Sequence, residues 1–258
     1  MVTLIEALIL AVVQGVTEWL PVSSSGHLVI IQKCLGFNAP LIFDVILHVG
    51  TLMVVLVVFR KDIVNIIKAV AKHDFETEEG KLAIFIVIGS VPIAVIGFLF
   101  HDFIESLFSN ILVVGVTLII TGSVLFFSER RIGKRKMDVS DSLLVGLAQG
   151  VALIPGISRS GITVSTGLLR KIAKANAFRY SFLLSVPAVL GATVVESIDI
   201  VLGNIDIAPL LLGAIISMLI GYFSLKMLQR IVMKEKFHLF AYYCWAVGTA
   251  IIFFIILQ

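Results

Sequence analysis

Charge is scarce in this sequence. Asp, Glu, Lys and Arg make up 14% of 258 residues, against about 25% in a typical soluble protein. With two cysteines and six prolines, the chain is neither a disulfide-stapled secreted scaffold nor collagenous. Cys34 and Cys244 lie far apart, without paired spacing, and read as ordinary buried thiols. A formal net charge of +3 gives no reason to expect nucleic acid. What is present instead is apolar: 59% hydrophobic residues and a mean hydropathy of +1.10. That composition excludes disorder, and a soluble domain of this size could not hide so much apolar surface. It implies one all-α integral membrane domain, since about six spans of about 20 residues would take up half the chain.

Apolar runs at 41–59, 82–100, 110–128, 180–196, 207–225 and 238–257 read as full spans. Those at 4–20 and 141–155 run into Pro21-Val22-Ser23-Ser24-Ser25-Gly26 and Pro155-Gly156-Ile157-Ser158-Arg159-Ser160-Gly161. Broken backbone at membrane depth survives only inside protein or beside a polar cavity, so 4–32 and 141–170 are expected to be re-entrant hairpins. Lys and Arg gather in the loops 60–81 and 129–140, around 170–179 and around 226–236, while 101–109 and 197–206 have none. Basic loops belong to the cytoplasm. The hairpins then enter from opposite faces and both termini lie outside. The first basic residue is Lys33, which argues against a cleaved signal peptide.

Residues 14–26 and 149–161 align without a gap, with Gln14/Gln149, Gly15/Gly150, Val16/Val151, Ser23/Ser158, Ser25/Ser160 and Gly26/Gly161 identical. Three spans follow each copy, so the second is inverted. The halves become 1–128 and 141–258, joined by the basic loop 129–140. Inverted repeats with broken helices place a site at the midplane where the breaks face each other. A second echo, Ser90-Val91-Pro92 with Ser185-Val186-Pro187, is out of register and reads as structural.

Polar residues in these segments are costly and by default functional. Gln14 and Glu18 share a helix face, His27 follows the first break and Arg159 sits in the second. Ser23, Ser24 and Ser25 open one short helix; Ser158 and Ser160 open another, with Thr163 in its first turn. Such openings present free N–H groups and the positive end of a helix dipole, and Arg159 adds a fork suited to phosphate. This suits phosphoryl transfer on a lipid carrying phosphate or diphosphate. Ser23, Ser25, Ser158, Ser160 and Thr163 would cradle the phosphate. Glu18 would hold a divalent cation (Mg2+ or Ca2+) with Gln14 as neutral helper, or act as base. His27 or Ser24 would be the nucleophile. A transporter using the same cradle stays open.

The residues Gln14-Gly15-Val16-Thr17-Glu18, their continuation Trp19-Leu20-Pro21-Val22-Ser23-Ser24-Ser25-Gly26-His27, and Pro155-Gly156-Ile157-Ser158-Arg159-Ser160-Gly161-Ile162-Thr163 resemble the two signatures of the undecaprenyl-diphosphate phosphatases, or bacitracin-resistance proteins. The likeness in length and hydropathy runs along essentially the whole chain. The resemblance implies hydrolysis of a C55 polyprenyl diphosphate to the monophosphate and inorganic phosphate. That recycles the cell-wall lipid carrier and lowers bacitracin sensitivity. It also implies a divalent metal, a site open to the outer leaflet of the plasma membrane, and roles for Glu18, Ser24, His27 and Arg159. Position 14 departs from the pattern, being Gln where many members carry Glu.

Partners are the lipid substrate and membrane lipid; glycine and serine on helix faces allow a homodimer. Asp44 and His48, four apart at a span end, read equally as the rim of the site or as an interfacial pair. His101, Asp102 and Glu105, and the run Glu76, Glu78, Glu79, read as solvated. Trp19 and Trp245 read as packing or interface residues.

Overall fold

The computed structural model describes residues 3–37, 39–129, 133–198 and 207–257. Arg130 and Arg131 of the predicted basic linker, and most of the predicted outer loop 197–206, lie outside them. Twelve helices account for most of the described chain: α1 (Leu4–Thr17), α2 (Ser24–Leu35), α3 (Leu41–Val58), α4 (Arg60–Ala71), α5 (Glu78–Leu99), α6 (His101–Phe108), α7 (Ile111–Ser128), α8 (Val139–Val151), α9 (Arg159–Leu169), α10 (Lys174–Ile198), α11 (Ile207–Met233) and α12 (Leu239–Ile256).

Five of these, α5, α7, α10, α11 and α12, are long and apolar enough to cross a membrane, and α3 with α4, joined at a 75° bend, makes a sixth candidate. The all-helical integral membrane class read from composition therefore holds. Large apolar side chains such as Phe98, Phe223 and Ile256 are 84%, 72% and 74% exposed on the outer surface, as a lipid-facing wall requires.

Three expectations are corrected. Cys34, expected to be buried with Cys244, is exposed at the end of α2, and only Cys244 is buried. The basic segment after α3 was expected to be loop, but Arg60–Ala71 is helix. Its Ile63 and Ile66 pack against the core while its cations stay outside. Residues 101–109 were likewise expected to be loop, and His101–Phe108 is helix, with no buried residue. Both are short amphipathic helices, which an apolar-run reading passes over. His101, Asp102 and Glu105 are exposed there, as expected.

Helix α1 ends at Thr17 because Pro21 lacks the N–H that would continue the ladder and disfavours helix in the residue before it. Helix α8 ends before Pro155-Gly156, where Gly156 adopts φ +89°. Helix α1 packs against α11 and α8 against α5, α3 crosses α10, and α7 pairs with α12. Small residues allow the close crossings: a Cβ on Gly15 would stand 2.8 Å from Ile220 Cβ, and one on Gly248 would stand 2.6 Å from the Gly115 carbonyl. Pro92 and Pro187 lie inside α5 and α10. The linker is pinned by Asp141, fully buried, which accepts hydrogen bonds from Arg135 at 2.6 Å and Arg170 at 2.8 Å.

Candidate functional site

Gln14 and Glu18, one helical turn apart on the inner face of α1, are both buried. The Gln14 amide donates to Glu18 Oε2 at 3.0 Å. Six residues on, at the start of α2, the Ser24 hydroxyl donates to the same oxygen at 2.6 Å. The other oxygen, Oε1, accepts a hydrogen bond from Arg159 Nη2, 141 positions away in the second break. Among the described residues only Nη2 of Arg159 finds a hydrogen-bond partner, so Nε and Nη1 keep their donors for another anion. The Arg159 guanidinium also lies 5.6 Å over the Trp19 ring. Trp19 itself is 1% exposed and belongs to the core, not to a membrane interface.

The two breaks face each other reciprocally. A Cβ on Gly26 would stand 3.3 Å from Gly156 Cα, and one on Gly161 would stand 3.1 Å from Pro21 Cβ. A Cβ at either glycine would be a tight contact that its neighbours must yield to by a few tenths of an ångström. In the register of the two motifs, Arg159 stands where Ser24 stands in the first, and Leu153 stands where Glu18 does. One copy thus contributes the acid and the other the base, and their meeting puts opposite charges together. Gln149, the counterpart of Gln14, faces no acid; its amide donates to the Leu184 carbonyl at 3.5 Å.

The backbone of each break is held from outside. On α7, the Thr117 hydroxyl donates to the Pro155 carbonyl at 2.6 Å and the Thr121 hydroxyl to the Gly156 carbonyl at 3.1 Å. Thr121 also accepts from the Ser158 N–H at 3.3 Å. On α12, the Cys244 thiol donates to the Pro21 carbonyl at 3.5 Å. Carbonyls freed by a broken helix must find partners away from water, and these supply them. Ser23 adopts φ +68°, a left-handed conformation that is strained for a residue with a Cβ.

Several hydroxyls expected to cradle phosphate already serve the helix starts. Ser23 and Ser158 are the N-caps of α2 and α9, accepting from the Gly26 and Gly161 N–H groups. Ser25 and Ser160 lie 3.3 Å from them. Thr163 donates back to the Arg159 carbonyl at 2.7 Å and meets Ser181 at 2.5 Å. With Trp19, Arg159, Ser160, Ser181, Phe182 and Ser185 it lines a narrow crevice.

His27 is turned away from the acid. Its Nδ1 lies 2.7 Å from the Ser23 carbonyl and its Nε2 lies 2.8 Å from the Tyr243 hydroxyl. The imidazole facing Glu18 is that of His48, with Nε2 at 3.7 Å from Oε2. Of the two readings of Asp44 and His48, the one beside the site holds for His48.

Among the described residues no group of three His, Cys, Asp or Glu side chains is arranged to hold a metal. The donors at the breaks are the Glu18 carboxylate and the Gln14 amide oxygen, which is buried and has no hydrogen-bond partner. One carboxylate and one amide oxygen fit a hard cation whose remaining ligands are substrate phosphates and water, the usual habit of Mg2+.

A family model described as bacitracin resistance protein BacA matches residues 7–250. The chain belongs to this family. Among its relatives are undecaprenyl-diphosphatases of Halothermothrix orenii, 44% identical over 255 residues (96% of each chain), and Carboxydothermus hydrogenoformans, 43% identical over 257 residues (96% of this chain, 95% of the relative). That of Korarchaeum cryptofilum is 42% identical over 255 residues (96% and 97%). The family resemblance drawn from the two break motifs therefore holds across nearly the whole chain.

Within this BacA family member, sequence reasoning left His48 open between the rim of the site and an interfacial pair, and it missed the clasping Thr117 and Thr121, and Tyr243. The threonines had one signal, two hydroxyls four apart within the apolar run 110–128. Tyr243 had none, because a tyrosine near a span end reads as an interface anchor.

Proposed function

We propose that this protein hydrolyses undecaprenyl diphosphate to the monophosphate and inorganic phosphate, which recycles the lipid carrier and confers bacitracin resistance. The observation that carries this reading is Glu18 against Arg159, each from a different break, with Ser24 on the same carboxylate. Arg159 and the starts of α2 and α9 bind the terminal phosphate. Ser24 Oγ attacks the terminal phosphorus in line and passes its proton to Glu18. The P–O anhydride bond breaks and the polyprenyl monophosphate leaves with the bridging oxygen. Water then attacks the serine phosphate and gives a proton to His27 Nε2, the Ser24 Oγ–phosphorus bond breaks as Glu18 returns its proton to Oγ, and inorganic phosphate leaves. Arg159 and the helix starts stabilise the developing charge on the phosphate oxygens. A divalent cation, Mg2+ or Ca2+, held by Glu18 and Gln14 together with the substrate, would supply further neutralisation of that charge.

The finer architecture belongs to the same proposal. It has six spans with α1–α2 and α8–α9 as opposed re-entrant hairpins, inverted halves 1–128 and 141–258, and a multi-pass place in the plasma membrane with the site open to the outside. The exchange of pairings supports it: α1 goes with α11 as α8 goes with α5, while α3–α10 and α7–α12 are pairs between corresponding helices. A homodimer is compatible with it.

Purified protein given a polyprenyl diphosphate and Mg2+ in detergent should release free phosphate, and Ser24→Ala should abolish the release. A carrier of lipid phosphates would release none, and full turnover by Ser24→Ala would remove the serine from the chemistry.

A further inference from the structure

His27, in the first turn of α2, and Tyr243, in α12, are 216 positions apart and share a hydrogen bond of 2.8 Å. Their rings stack with centroids 5.7 Å apart and planes 15° from parallel. The other ring nitrogen, Nδ1, lies 2.7 Å from the Ser23 carbonyl. A carbonyl can only accept, so Nδ1 carries a proton. In the neutral ring Nε2 is then a bare acceptor, and the Tyr243 hydroxyl donates to it. Two partners thus fix one tautomer, and one of them is the backbone of Ser23, itself held at φ +68°. Cys244, the next residue along α12, donates to the Pro21 carbonyl. Helix α12 therefore serves the first break as α7 serves the second through Thr117 and Thr121.

We infer that Tyr243 is a positioning residue of the phosphatase site, locking His27 as the Nδ1–H tautomer through the hydroxyl–imidazole bond from α12. Nε2 is the only nitrogen of His27 left to take a proton, and Tyr243 holds its place until a water or a phosphate oxygen replaces the hydroxyl. The inference rests on the phosphatase reading.

Tyr243→Phe removes the hydroxyl and keeps the stacked ring. In phosphate-release assays on the full chain with polyprenyl diphosphate and Mg2+, it should lower kcat about tenfold and leave KM nearly unchanged, the signature of a contact that matters for the chemical step. In a His27→Gln background the same change should have no further effect, because the two residues act as one unit. Nitrogen-15 NMR of histidine-labelled protein needs no turnover. His27, assigned by the signal lost in His27→Gln, should show one Nδ1–H tautomer in the wild type and a mixture in Tyr243→Phe. An unchanged kcat with an unchanged tautomer would overturn the inference, and so would equal losses in both backgrounds. Failure of the wild type to release phosphate is a separate result: it strikes the phosphatase reading, and the NMR arm still decides the tautomer.

Discussion

Removing one partner of the Glu18–Arg159 pair should be worse for stability than removing both. In Arg159→Gln the Glu18 carboxylate, 4% exposed at its side chain, keeps only Ser24 and Gln14 as hydrogen-bond donors. Stranding a buried charge costs about 3–5 kcal/mol. The lower end applies here, since the Ser24 and Gln14 hydrogen bonds to the carboxylate remain. A loss of about 3 kcal/mol corresponds to a drop of about 6–12 °C in Tm for a chain of this size. Adding Glu18→Gln removes the stranded charge, so the double variant should regain most of that loss. Activity should not return, because the group that stabilises the phosphate charge is absent. Loss of one such group costs about 10²–10³ in rate. Thermal unfolding in detergent and free-phosphate release on the two singles, the double and the wild type complete the comparison. An Arg159→Gln variant as stable as the wild type, or a double variant less stable than the single, would refute the reasoning, since neither fits two charges that compensate each other.

Three further outcomes follow from the same geometry. Thr117→Val leaves the Pro155 carbonyl buried without its 2.6 Å partner and should cost about 1–3 kcal/mol in thermal unfolding, with Thr117→Ser restoring it. Gly156→Ala must place a Cβ at φ +89°, 2.8 Å from the Val114 carbonyl and against the Thr117 hydroxyl; it should destabilise the protein more than Thr117→Val and lower kcat by disturbing Arg159. At the linker, Ser140, the Asp141 N–H and Arg135 hold the Asp138 carboxyl well below the usual carboxylate range. A depressed folded pKa gives stability that is full above the unfolded pKa of about 3.9 and lost as pH falls through the folded value. Asp138→Asn should therefore lower stability at pH 7 and flatten the acid limb of a pH–stability curve below about pH 4, so that variant and wild type converge at low pH.

The breaks were legible in the sequence because proline, glycine and serine runs inside hydrocarbon-length apolar segments have few structural uses. The pairing of Glu18 with Arg159 was legible too, because two aligned motifs read as inverted copies are expected to bring their tips together. Helices α4 and α6 were not: Arg60–Ala71 mixes cations with Ile63 and Ile66 at helical spacing, which disappears in a scan for continuous apolar runs. The division of labour between the imidazoles was hidden for another reason. His27 sits in the motif and His48 outside it, yet the turn through Ser23 aims His27 at α12, while the bend of the first break leaves Glu18 against α3. Such aiming depends on tertiary packing that spacing along one chain does not encode. The same holds for hydroxyls: Ser23 and Ser158 read as phosphate donors, and both also cap their own helices.

The central claim is that the two breaks abut and so build one site. It can be tested with Pro21→Cys and Gly161→Cys together, in a background where Cys34 and Cys244 are serine. A Cβ at 161 stands 3.1 Å from the Cβ of residue 21, close to the spacing of about 3.5–4.5 Å that a disulfide needs. Mild oxidation of the detergent-purified protein should link the two cysteines within one chain, nearly to completion. Thiols that stay free under those conditions would contradict the account.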